Sequence, residues 1–208
     1  MDDAYFFDLN RKYGSLKARD TSRRVWHFLL EIYPSYLQAI RKELKSILEV
    51  GVYKGGSILA LHDYCPNAKI VGVDRDLSYV PESRFKYEME DFERIKLIEA
   101  DQEDSSAMRK VGEEHGKFEV IIDDAGHRAL EQIKCFEVLW PYVVAGGLYF
   151  IEDVFREEKP LQLKDYFLQT VQSFCTKPGV YRNLDIEFSH IAFYPGMIVI
   201  KKSVEKIR

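Results

Sequence analysis

The chain has 208 residues, 46% of them hydrophobic and 31% charged, and a formal net charge of −4. That balance fits one soluble globular domain with enough apolar surface for a real core, and the acidic excess argues against a nucleic-acid backbone as the main partner. Cys65, Cys135 and Cys175 lie far apart with no CxxC or Cys/His metal spacing, as expected of reduced structural thiols in a cytoplasmic protein. The start, "MDDAYFFDLN", has no signal-peptide pattern, and no apolar run approaches the roughly 20 residues of a membrane helix.

Residues 1–45 read as an N-terminal helical segment of the same domain. A helix is predicted over 21–44, with Val25, Phe28, Leu29 and Ile32 on one face and a break at Pro34. Ahead of it, Tyr5, Phe6, Phe7 and Tyr13 are placed to form part of a substrate lid. From residue 46 strands and helices alternate. The predicted strands are 46–51, 69–76, 94–101, 118–124 and 146–154. The helices between and after them are 56–65, 105–115, 129–143 and 160–176. Short, continuously apolar strands separated by helices predict a parallel sheet covered on both faces. Two further strands, 184–194 and 196–202, meet at Pro195-Gly196, the signature of an antiparallel hairpin. The expected fold of residues 46–208 is therefore α/β: a doubly wound, Rossmann-like, mostly parallel seven-stranded sheet with an antiparallel C-terminal hairpin.

Such sheets bind ligands beyond the carboxyl ends of their strands, and here those ends are acidic or glycine-rich. "EVGVYKGGS" (49–57) spaces its glycines at 51, 55 and 56, which is not the G-x-G-x-x-G of a pyrophosphate loop. Glu49 beside it would repel phosphate and suit a cationic ligand; the loop reads equally well as a structural turn. "VGVDRD" ends a strand on Asp74, where a carboxylate can hydrogen-bond a ribose diol. "EADQED" offers Asp101 and Gln102 to an adenine edge. Each is also what a solvated strand end looks like.

"DDAGH" (123–127) and "FIEDV" (150–154) carry the sharpest signal. Asp124, Glu152 and Asp153 are expected to converge at one edge of the sheet. Carboxylates so placed repel one another unless a cation lies among them. Oxygen donors with one imidazole suit a hard divalent ion such as Mg²⁺ or Mn²⁺ better than zinc. The alternative is that the acids are separately solvated or pair with Arg128 or Arg156. Asp123 is expected to face the cofactor side of the strand end. His127 is either a neighbour of the following helix start or a general base, whose ordinary pKa of about 6.5 suits proton uptake. His62 and His190 read as structural.

"SILEVGVYKGGSILALHDYCPNAKIVGVD", "ADQED", "VIIDDAGH" and "GGLYFIEDV", in that order, resemble the class I S-adenosylmethionine-dependent methyltransferases. More narrowly, they resemble the metal-dependent O-methyltransferases that modify sugar hydroxyls on macrolides and rhamnosyl glycosides. The resemblance covers roughly residues 46–154. It implies S-adenosylmethionine held by the loop of Glu49, Gly51, Gly56 and Ser57, with Asp74 on the ribose and Asp101, Gln102 and Asp123 nearby. It also implies Mg²⁺ on Asp124, Glu152 and Asp153, His127 as general base with Asp124 beside it, and a sugar hydroxyl as acceptor. The chain departs from the family's D-D-G-S-H by carrying Ala125 and Gly126, which removes the hydroxyl that would orient His127. It is also shorter than the macrolide enzymes, so acceptor and homo-oligomer contacts do not transfer. A catechol- or phenol-type O-methyltransferase, a nicotinamide-dependent oxidoreductase and a non-catalytic nucleotide-binding module are the rival readings.

Overall fold

The computed structural model describes residues 3–15, 24–80, 92–154, 161–176 and 188–204. Two helices come first, α1 (Asp3–Lys12) and α2 (Arg24–Leu37). The alternating part runs β1 (Ser46–Val50), α3 (Gly56–Tyr64), β2 (Lys69–Asp74), β3 (Ile95–Glu99), α4 (Ser105–His115), β4 (Phe118–Asp123), α5 (Ala129–Leu139) and β5 (Val143–Glu152). The last elements are α6 (Leu161–Thr176), β6 (Phe188–Tyr194) and β7 (Met197–Lys202).

The seven strands form one sheet in the order β3-β2-β1-β4-β5-β7-β6. β3, β2, β1, β4 and β5 are parallel neighbours, while β7 runs antiparallel to both β5 and β6. This is the architecture expected from the sequence. The chain winds outward from β1 through β2 to β3 and then crosses back to place β4 on the other side of β1. The crevice outside β1 and β4 is thus the natural ligand position. Alternation along the strands sends side chains into two apolar layers. Ile47, Ile70, Val120, Ile122 and Phe150 meet α1, α2 and α3; Leu48, Val71, Ile121, Tyr149 and Ile151 meet α4, α5 and α6.

Several boundaries differ from the sequence reading for identifiable reasons. Helix α5 stops at Leu139 and the chain tightens into a 3₁₀ turn over Trp140–Tyr142. Pro141 lacks the N–H that the next helical hydrogen bond needs, so the helix does not run on to 143 as expected. α2 accommodates Pro34 and ends at Leu37, short of the expected 44. The 21–23 part of that helix, the 184–187 part of the expected strand and Arg156 all lie outside the described residues. The Pro195-Gly196 hairpin is as expected, with Gly196 at φ +80°, where a side chain would be strained.

Two of the four residues expected in a lid are packed into the core, while Tyr5 is 40% exposed. Phe6 and Tyr13 are 2% and 3% exposed. The Phe6 ring packs against Tyr33 and Tyr64, at centroid distances of 5.6 and 4.7 Å. Burying a side chain such as Phe6 is worth about 1.5–3 kcal/mol, which a swinging segment would forfeit, so α1 is core. Among the described residues, no helix is long and apolar enough to cross a membrane.

Candidate active site

The carboxyl ends of β1, β2, β4 and β5 open into a cleft of about 1410 Å³. The β1–α3 loop forms one wall. Gly51, at φ +100°, lies against the backbone of Asp124, whose carbonyl would overlap any β-carbon at 51. The Asp124 N–H donates to the Val50 carbonyl at 2.8 Å, which joins the two loops directly. Asp74, at the end of β2, holds the other side of this loop. Its Oδ2 accepts from the Val52 and Tyr53 N–H groups at 2.8 and 2.7 Å, and its Oδ1 accepts from Asp76 N–H at 3.1 Å. That clamp holds Tyr53 in the left-handed region at φ +48°, which a non-glycine residue rarely adopts. Asp74 therefore shapes the loop as well as lining the cleft.

The second wall comes from the N-terminal segment, which no sequence motif marked. Gly14 and Ser15 line the cleft. A β-carbon at Gly56, the first residue of α3, would sit 2.7 Å from Ser15 N and Cα and 3.0 Å from the Tyr13 carbonyl. Gly56, unlike Gly55 at φ +76°, has no positive φ, so only this close approach requires glycine there. In an open helix a glycine-to-alanine change adds stability, up to about 1 kcal/mol. Here Gly56→Ala is expected to destabilise by about 1–3 kcal/mol through overpacking, seen as a lower denaturation midpoint. An unchanged or higher midpoint would show that the N-terminal segment does not bear on the loop.

The third wall carries the acids. One donor atom each from Asp124, His127 and Asp153 lie within 4.8 Å of one another. His127 Nε2 is 3.5 Å from Asp153 Oδ2, and the Asp153 carboxylate is almost fully buried. Asp153 sits at φ +56°, a strained conformation at the point where β5 ends. Two carboxylates and an imidazole, one acid buried, form a donor set that suits a hard divalent cation. Two of the three expected carboxylates belong to this trio. Glu152 stands outside the trio; its carboxylate accepts a hydrogen bond from Tyr33 of α2, on the opposite side of the sheet from Asp123. The reason is the period of two: consecutive residues of a strand face opposite ways, so Glu152 and Asp153 part where β5 ends. Asp153 thus lies within ion-pair reach of the His127 ring.

Gln102 lines the cleft and is also tied into the β4 loop. It is buried, its Nε2 donates to Asp123 Oδ1 at 2.8 Å, and its Oε1 accepts from Gly126 N–H. It braces the β4 loop and has both ends of its amide engaged. Asp123 itself is fully buried, and burial pushes its carboxyl well above the usual carboxylate range. It lies among Gln102, Cys135 and Tyr149 beneath the floor of the cleft. Glu49 is likewise fully buried in β1. Thus Gly51, Gly56, Ser57, Asp74, Asp101, Gln102, Asp124, His127 and Asp153 line the cleft, whereas Glu49, Asp123 and Glu152 do not. Asp76, Tyr79, Glu131 and Lys134 line it without having been singled out; single residues on loops and a helix face leave no spacing to read.

No protein-family model matches the chain. Over 156 residues it is 34% identical to the 8-demethyl-8-(2-methoxy-alpha-L-rhamnosyl)-tetracenomycin-C 3'-O-methyltransferase of Streptomyces olivaceus, a match covering 71% of this chain and 38% of that protein. It is 33% identical to the L-olivosyl-oleandolide 3-O-methyltransferase of Streptomyces antibioticus over 64% of this chain and 34% of that one. The chain thus spans little more than a third of the curated relatives it matches. Among solved structures, the MycE methyltransferase of the mycinamycin biosynthetic pathway, in complex with Mg and SAH, superposes with a TM-score of 0.76 at 24% identity. That superposition covers 95% of this chain and 54% of that one, and it shows a shared fold.

Proposed function

Because the chain has the class I methyltransferase fold and resembles curated sugar O-methyltransferases over 71% of its length, we propose that it transfers a methyl group from S-adenosylmethionine to a sugar hydroxyl, assisted by Mg²⁺ or Mn²⁺. The observation that carries this reading is the convergence of Asp124, His127 and Asp153 in a cleft whose far end is lined by Asp74 and Asp101. An oxygen-rich cation site beside an acidic nucleoside-sized groove suits a sulfonium donor and a hydroxyl acceptor. A nicotinamide dinucleotide would need a G-x-G-x-x-G pyrophosphate loop, which glycines at 51, 55 and 56 do not make.

Asp124 and Asp153 would hold the cation; Glu152, the third ligand that the resemblance implies, engages Tyr33 instead. When bound, the ion supplies Lewis acidity that lowers the acceptor hydroxyl's pKa and fixes its position. His127 takes up the hydroxyl proton. Asp153 at 3.5 Å keeps the imidazole oriented and stabilises its charge once protonated. Asp74, through the Val52 and Tyr53 amides, keeps the glycine loop in the shape that admits the donor. Gly51, Gly56 and Ser57 line the part of the cleft where the resemblance would put the donor. Asp124 and His127 share one loop fixed by Val50 and Gln102, so acceptor and donor meet in a fixed geometry, which is where much of such catalysis originates.

The acceptor on this reading is a glycan or a glycosylated small molecule, a rhamnoside for example, with neither nucleic acid nor membrane as partner. A cytoplasmic setting agrees with the free, buried thiols of Cys65 and Cys135. Burial pushes the Cys65 thiol up to about 12, which makes it unreactive. The test is release of S-adenosylhomocysteine across a panel of deoxysugar glycosides, with Mg²⁺ and with EDTA. Turnover of a glycoside that stops with EDTA is expected. Turnover unaffected by EDTA would remove the metal from the scheme, and turnover of phenols alone would select a catechol-type enzyme instead.

A further inference from the structure

The loop that departs from the family pattern, Ala125-Gly126, has a second consequence. A β-carbon at Gly126 would overlap Oε2 of Glu131 and lie 2.8 Å from Oε1 of Gln102. Two side-chain oxygens thus close over a bare backbone, where a serine would push the carboxylate away. Glu131 belongs to the first turn of α5, lines the cleft, and has a side chain only 14% exposed. Its two oxygens do different things. Oε1 accepts from Arg128 NH1 at 3.2 Å, an ion pair made by an 81%-exposed arginine and so of little energetic weight. Oε2 turns inward to Gly126.

On the methyltransferase reading, from which this inference proceeds, the orientation of the donor is constrained. The sulfonium must face Asp124, His127 and Asp153, and its amino-acid end runs along the glycine loop. With the ribose near Asp74, the base is left with the wall between the loops after β3 and β4, which Asp101, Gln102, Gly126 and Glu131 line. Gln102 has both ends of its amide engaged. We propose that the Glu131 carboxylate, brought over Gly126, accepts a hydrogen bond from the exocyclic amine of the cofactor's purine and so sets the preference for adenine. A 6-oxo purine would present a lone pair to the same carboxylate.

The experiment compares binding of S-adenosylhomocysteine and its 6-oxo counterpart, S-inosylhomocysteine, by calorimetry in wild type, Glu131→Ala and Glu131→Gln. Wild type is expected to prefer the adenine ligand by about 10- to 150-fold, the range for a hydrogen bond to a charged group. Glu131→Ala should bring the two affinities within about threefold. Glu131→Gln keeps the shape of the side chain and gains a donor for the 6-oxo group, so its preference should also fall. A variant that retains the wild-type preference, even with both affinities lowered, overturns the assignment and leaves Glu131 a structural residue. A wild type that binds both ligands equally overturns it too. If wild type binds neither, the cofactor reading itself fails and this assignment falls with it.

Discussion

His127→Gln is expected to lower methyl transfer by about 10²- to 10⁴-fold, the usual contribution of a positioned general base, while S-adenosylhomocysteine affinity stays within about twofold. The ring lines the cleft beside Asp153 at 3.5 Å, which on the proposed reading is the acceptor side. The glutamine keeps a side chain of similar reach, so the loop between Val50 and Gln102 has no reason to collapse. The loss should appear in kcat, read from single-turnover rates with saturating Mg²⁺. A variant at wild-type kcat would make His127 a structural neighbour of α5.

Asp153→Asn should produce effects of opposite sign with and without metal. Asn is among the few residues that adopt positive φ readily, so φ +56° at this position is no obstacle. Without a divalent ion, replacing one of two neighbouring acids removes repulsion, and the variant should melt at or above the wild-type temperature in EDTA. With Mg²⁺ the order reverses. A ligand at a hundred times its dissociation constant stabilises the folded state by about 2.7 kcal/mol, and the variant should lose most of that shift. Its turnover should fall by about 10²- to 10⁴-fold, the several kcal/mol that a positioned Lewis acid supplies. Equal Mg²⁺-dependent melting shifts in both proteins would place the cation elsewhere.

The fold was legible because its signals are local and repeated. Each parallel strand is a short apolar run ending in Gly or an acid, and Pro195-Gly196 announces the reversal between β6 and β7. The ends of elements were less legible: Pro141 stops α5 early, while Pro34 is tolerated within α2. At the site, "DDAGH" and "FIEDV" identified Asp124, His127 and Asp153, since strand ends in such a sheet point to one edge. The same rule misplaced Glu152 and Asp123, because a one-residue step along a strand turns a side chain to the other face. Tyr33 on α2 and Gln102 after β3 receive those two carboxyls, and neither partner is near in sequence.

The amino-acid pattern by itself determined the alternation of strands and helices and the acidic strand ends. Those follow from hydrophobic period and charge, which act over a few residues. Only the tertiary structure decided which acids meet, that Ser15 presses on Gly56, and that Glu131 fills the space over Gly126. Those contacts join segments distant in the chain, and their geometry is set by the packing of α1, α3 and α5 on the sheet, which no local spacing encodes.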